Sequence, residues 1–219
     1  MEQIHSKQEP SHSYLIFIEV LNAVTHGIGA VLSITGLVFL IMKAMEHGGG
    51  ALSMTAYVIY GLSLFLLYLC STLYHSFKFT KVRNFFRRLD HSSIFILIAG
   101  TYTPYTLLTI GGRKGWFFFG LVWLIAIAGV LYKTFWFDKL QKASVFFYIG
   151  MGWISVFMLH SLYLGLGTTG FWLLVGGGLA FTLGTLFYVQ KNIHIMHVVW
   201  HLFVMAGTIF MFFSIYLFT

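Results

Sequence analysis

Seven stretches of mostly apolar residues, each long enough to cross a bilayer and parted by short polar breaks, constrain this chain more than any other feature. Inside the hydrocarbon core every backbone N–H and C=O needs a partner within the protein. A helix of about 20 apolar residues meets that demand over about 30 Å. The stretches lie near 18–43, 52–75, 89–110, 116–133, 144–165, 170–190 and 195–218. They predict an all-α polytopic membrane protein, a seven-transmembrane helix bundle forming one domain over residues 14–219 behind a cytoplasmic tail at 1–13. With 58% of residues hydrophobic and 9% charged, the composition is that of a multi-pass cell-membrane protein. The first thirteen residues are polar and do not resemble a secretory signal, so the first stretch is expected to stay as an anchor.

The net charge of +7 does not point to nucleic acid, because the basic residues sit between the stretches and read as topology signals. With a cytoplasmic N-terminus, ten of the 13 Lys and Arg residues fall inside. These are Lys7, Lys78, Lys81, Arg83, Arg87, Arg88, Lys133, Lys139, Lys142 and Lys191. Lys43, Arg113 and Lys114 fall outside. The expected orientation is therefore N-terminus in and C-terminus out. The single cysteine, Cys70, forms no intrachain disulfide and is expected to pack in its apolar stretch.

Ionisable residues inside a bilayer are costly and tend to face the bundle interior. The last stretch opens with His194, His197 and His201 at i, i+3 and i+7, all on one helix face. Two imidazoles four apart can share one metal ion, but spacing alone does not choose among the three. Ser71 and His75 share a face at the end of the second stretch. Asp90 opens the third, either as a cap, as a partner of Arg87 or Arg88, or as part of a site. Glu19, Asn22 and His26 share a face in the first stretch, as interfacial and hydrogen-bonding groups or as a second shell around a metal. His160, about 24 Å beyond Ser144 by helical rise, belongs near the outer face. Pro104 is expected to kink the third helix by removing a bond to the Gly100 carbonyl. Gly29, Ser33 and Gly36, and likewise Gly176, Ala180 and Gly184, supply small faces for close helix packing.

The charge count places Glu19, Asn22, His26, Ser71, His75, Asp90, His197 and His201 at one depth, toward the cytoplasmic ends of four helices. A single buried polar site follows. Three imidazoles and a water make a tetrahedral site for which Zn2+ is the leading ion, catalytic if the fourth position stays open and structural otherwise. Asp90 is suited to orient the water as general base, and Ser71 to donate to an oxyanion.

At these residues the sequence resembles the hemolysin III family, the bacterial branch of the progestin and adipoQ receptor superfamily, across essentially the whole chain. The resemblance rests on Glu19-x-x-Asn22-x-x-Thr25-His26, on Ser71-Thr72-Leu73-Tyr74-His75, on Asp90-His91-Ser92-Ser93 through Ala99-Gly100-Thr101-Tyr102-Thr103-Pro104, and on His197-Val198-Val199-Trp200-His201 with Leu202 to Gly207. It implies a seven-helix bundle with the N-terminus inside. Adiponectin receptors and alkaline ceramidases in the wider superfamily share a Ser, an Asp and three His around an intramembrane zinc. The resemblance thereby implies His75, His197 and His201 as ligands, Asp90 as water partner and Ser71 beside them. It also implies links to haemolysis and to membrane-fluidity homeostasis. Three functions are carried forward: a zinc-dependent amidohydrolase acting on a ceramide-like or other acyl lipid from the bilayer, a regulator of membrane state with a structural metal, and a cytolytic pore.

Overall fold

The computed structural model describes residues 10–46, 50–136 and 143–219, and every regular element among them is a helix. Lys7, Lys139 and Lys142, and positions 1–9 of the expected tail, lie outside the described residues. In chain order the helices are α1 (His12–Glu46), α2 (Gly50–Ser76), α3 (Arg83–Pro104), α4 (Gly112–Phe135), α5 (Ala143–Gly152), α6 (Leu159–Tyr188) and α7 (Ile195–Phe218). A π-helical turn, Tyr105–Ile110, continues α3, and a 3-10 turn, Trp153–Met158, joins α5 to α6.

Six of these helical segments are long and apolar enough to cross a membrane. The longest, Ser144–Tyr188, has 45 residues and would extend about 67 Å if straight, far more than a bilayer needs. It is not straight. At Gly167 the backbone takes φ 64°, ψ 178°, a region essentially reserved for glycine. Trp153 Nε1 then donates to Thr182 Oγ1 at 3.3 Å, although a straight helix would hold those residues about 43 Å apart. The segment doubles back at Gly167, which brings its two arms side by side.

Neighbours in sequence pack antiparallel. Thr72 lies beside Gly27 while Leu37 lies beside Gly61, which pairs α1 with α2. Trp123 Nε1 donates to Thr103 Oγ1 at 3.1 Å, tying α4 to α3. α1 and α7 run parallel: Thr25 meets His201 near one end, and Lys43 reaches the Thr219 carbonyl at 2.7 Å near the other. Lys133, fully buried at the end of α4, donates to Ser144 Oγ at the start of the next arm.

α1 shows why these residues make a bundle in lipid. Its outward positions are Val24, Ile28 and Val31, all more than half exposed, whereas Asn22, His26, Gly29, Ser33 and Gly36 are buried. Lipid is as apolar as valine, so contact between helices comes from close packing of small residues and from hydrogen bonds. A Cβ on Gly29 would come within 2.5 Å of the Tyr68 ring, and one on Gly36 within 2.9 Å of Phe212. On α6 the packing seam differs by one position from expectation. Gly177, Ala180 and Gly184 are its buried members, and a Cβ on Gly177 would meet Met211 at 3.0 Å, whereas Gly176 is only half-buried and 3.8 Å from Phe210.

Pro104 is the last residue of α3. Beyond it the helix loosens into the π-turn, which closes with the Gly111 N–H on the Thr106 carbonyl at 2.9 Å. Helix α3 begins at Arg83, not near residue 89. Asp90 therefore sits in the second turn, and its expectation as an N-terminal cap fails: Val82 occupies the cap position, with no side-chain capping bond.

Candidate metal centre

Three imidazoles converge where α2 ends and α7 begins. His75, His197 and His201 each offer a ring nitrogen, and the three nitrogens lie within 4.8 Å of one another. His75 Nε2 and His197 Nε2 stand 3.3 Å apart. The i, i+4 spacing on α7 puts the His197 and His201 rings 4.7 Å apart by centroid, and α2 brings His75 to 4.9 Å from His201. This group could hold a metal ion. His194 stays out of it: it precedes α7, is exposed, and faces Tyr14 edge-on at 6.3 Å.

Neighbouring groups fix the rings. His75 Nδ1 donates to Glu19 Oε2 at 2.6 Å, which turns Nε2 toward His197. Glu19 also meets Lys78 Nζ at 3.2 Å. His201 Nδ1 lies 3.3 Å from Thr25 Oγ1, so Nε2 of that ring faces the group as well. An oxygen on the far nitrogen is the usual arrangement around a metal-binding histidine, and His75 and His201 both have one. Glu19 is thus more than an interfacial marker. His26 is not in the metal group. Its ring stacks on His201 with centroids 3.6 Å apart, and both its nitrogens are buried without a hydrogen-bond partner, as is Asn22 Oδ1. Buried polar atoms of that kind ordinarily face a water or a ligand.

Ser71, Asp90, His26, His197 and His201 all border one cavity of about 430 Å³, within the range of small-molecule sites. Away from these residues its walls are apolar, with Leu97, Ile98, Leu162, Leu174 and Val204 among them. Ser71 is buried, and the Asp90 side chain is 13% exposed. His160 lies at the opposite end: its neighbour Ser161 binds Lys114, and the ring is exposed.

Sequence reasoning passed over His91 and Tyr188. His91 Nδ1 lies 3.4 Å from Asp90 Oδ2, and its Nε2 lies 3.5 Å from the Tyr188 hydroxyl. The signal was present, since His91 belongs to the same Asp90-His91-Ser92-Ser93 motif. Consecutive residues on a helix point about 100° apart, and the Asp90 side chain reaches back across that turn.

A helical membrane protein with a histidine and carboxylate centre set into the side of an apolar cavity is the class these features define. The chain belongs to the Haemolysin-III related family, whose profile matches residues 14–212. It is 45% identical to Hemolysin-3 of Bacillus cereus over 197 residues, covering 90% of both chains. Against the Hemolysin-3 homolog of Bacillus subtilis (strain 168) it is 42% identical over 197 residues, 90% of this chain and 92% of that one. The human Monocyte to macrophage differentiation factor is 29% identical over 168 residues, 72% of this chain and 68% of that one. This last likeness joins the family to the progestin and adipoQ receptor superfamily.

Proposed function

We propose that the protein is a zinc-dependent lipid hydrolase that cleaves an acyl amide or ester, with a ceramide-like amide as the leading substrate, near the cytoplasmic face of the cell membrane. The observation that carries this reading is the 3.3 Å separation of His75 Nε2 and His197 Nε2, with His197 on the wall of an apolar cavity that Asp90, Ser71 and His201 also line. Two nitrogens bound to one tetrahedral zinc at 2.0–2.1 Å stand about 3.3–3.4 Å apart. The donor set, three nitrogens with a carboxylate behind His75, suits that ion. In this reading the chain crosses the membrane seven times with its N-terminus inside. Support comes from the reversal at Gly167 and from the clustering of Lys78, Arg83, Arg87 and Lys191 about one cavity at the same end of the bundle.

Bound zinc would lower the pKa of a water to about 7 and so supply a nucleophile at neutral pH. With zinc held by His75, His197 and His201, Asp90 on the cavity wall would take a proton from the attacking water and pass it to the amine or alcohol released when the acyl bond breaks. Ser71 donates a hydrogen bond to the oxygen on which charge develops. Glu19 holds the His75 ring in place. The apolar cavity takes the acyl chain and keeps bulk water from the reacting carbonyl.

The test is the Asp90→Ala variant, purified and assayed on a fluorescent short-chain ceramide beside metal analysis. About one zinc per chain should remain while turnover falls by about 10²- to 10⁴-fold. Undiminished turnover in that variant overturns the catalytic reading, and zinc retained by a His197→Ala, His201→Ala double variant overturns the ligand assignment.

A further inference from the structure

A second, polar cavity of about 310 Å³ lies on the loop side of the histidine group. Four cations, Lys78, Arg83, Arg87 and Lys191, border it together with a single carboxylate, Glu19. They come from three separate parts of the chain: the turn after α2, the first turns of α3, and the loop between α6 and α7. Positive charge in cytoplasmic loops serves topology wherever in those loops it falls. Glu19, the one carboxylate bordering the hollow, pairs with Lys78 at 3.2 Å, so the four cations leave the hollow with a net positive lining, which topology alone does not require and which favours an anion.

The hollow is not isolated. His91, Tyr188 and His197 line both it and the apolar cavity, so the two meet at the metal centre. One occupant would place an anion among the cations, a polar linkage beside the histidines and a hydrocarbon chain in the apolar cavity. Guanidinium and ammonium groups at a membrane surface suit a phosphate, Arg through paired hydrogen bonds and Lys as a point charge.

We propose that this basic vestibule binds the phosphate of an anionic phospholipid whose acyl chain enters the apolar cavity. The proposal rests on the reading of the apolar cavity as an acyl site, and within that reading it moves the preferred substrate from ceramide itself to acyl lipids that carry a phosphate on the headgroup, a phosphorylated ceramide among them.

The test uses full-length, detergent-purified protein and two water-soluble probes that cannot be hydrolysed, ether-linked dihexyl phosphatidic acid and ether-linked dihexylglycerol. Their affinities are measured by calorimetry. Wild type should prefer the phosphate-bearing probe by about tenfold or more, as charge-assisted hydrogen bonds imply, and the preference should shrink as salt rises. An Arg83→Gln, Lys191→Gln variant, changed at two exposed positions, should lose the preference while its affinity for dihexylglycerol stays unchanged. The charge-keeping pair Arg83→Lys, Lys191→Arg should retain it. Equal affinity of wild type for the two probes, or a preference that survives in the Gln variant, overturns the headgroup assignment and leaves the acyl site standing. Failure of both probes to bind overturns both. Inorganic phosphate is the remaining arm: competition at least a hundredfold weaker than the lipid supports the proposal, and competition at equal strength reassigns the vestibule to a soluble phosphate and overturns the lipid part.

Discussion

At the scale of single residues, Glu19 links the basic vestibule to the histidine group. Its carboxylate takes a 2.6 Å hydrogen bond from His75 on one side and holds Lys78 at 3.2 Å on the other. An oxygen on the far nitrogen of a metal-binding imidazole fixes the ring and raises its basicity, and loss of such a partner commonly costs 10- to 100-fold in metal affinity. Glu19→Gln keeps the shape and removes the charge. Zinc affinity, measured by competition with a chelator, should fall by about that factor, with the helical content unchanged. An unaltered affinity would reduce Glu19 to a partner of Lys78. Much of this residue-scale picture was legible in advance. The i, i+4 spacing of His197 and His201, the placement of Ser71 and His75 at one helix end, and the shared face of Glu19, Asn22 and His26 all follow from helical periodicity. The pairing of Glu19 with His75 and of Thr25 with His201 did not, because such contacts depend on how each helix is rotated about its axis, which no single-helix pattern contains.

At the scale of elements, the apolar stretches were readable and the irregularities between them were less so. Pro104 announces a disturbed helix, yet nothing local says that it relaxes into a π-turn ending at Gly111. Arg83 to Arg88 extend α3 well before the apolar stretch begins, because a helix leaving the bilayer continues while its backbone bonds are satisfied. The reversal in Ser144–Tyr188 turns on one residue. Gly167 holds φ 64° and ψ 178°, where a side chain costs on the order of 1–3 kcal/mol. Gly167→Ala should lower the thermal unfolding midpoint by several degrees in detergent. Gly178→Ala is the matched control, because a Cβ there meets nothing within 4 Å and a helical glycine gains from the exchange. Its midpoint should hold or rise. A Gly167→Ala variant as stable as the Gly178→Ala variant would show that the turn does not depend on that backbone conformation.

At the scale of the molecule, polarity is arranged from the inside outward. His26, His75, His201, Ser71, Asn22 and Ser93 are buried, and the bulk of the exposed surface on α1 and α4 is Val, Ile, Leu, Phe and Met. On α1, Phe17, Val20, Val24, Ile28 and Val31 succeed one another outward, and on α4 Phe117, Leu124, Ile127 and Leu131 do the same. A water-filled pore shared between copies needs a continuous polar stripe on the outer face of each, since unsolvated backbone and ions are not tolerated against hydrocarbon. These two helices offer lipid-facing surface instead. Purified protein added over a wide dose range to phosphatidylcholine liposomes loaded with a small dye should therefore release no more dye than detergent alone. Release at low dose in steps that scale with an oligomer would reverse this, and would require the helices to rotate their buried polar faces outward. That rotation would break the Glu19–His75 and Thr25–His201 contacts, so a pore-forming state and the observed histidine group are mutually exclusive on this geometry. Adding zinc should then suppress any release that does occur, and release that is indifferent to zinc would argue that the two properties are unconnected.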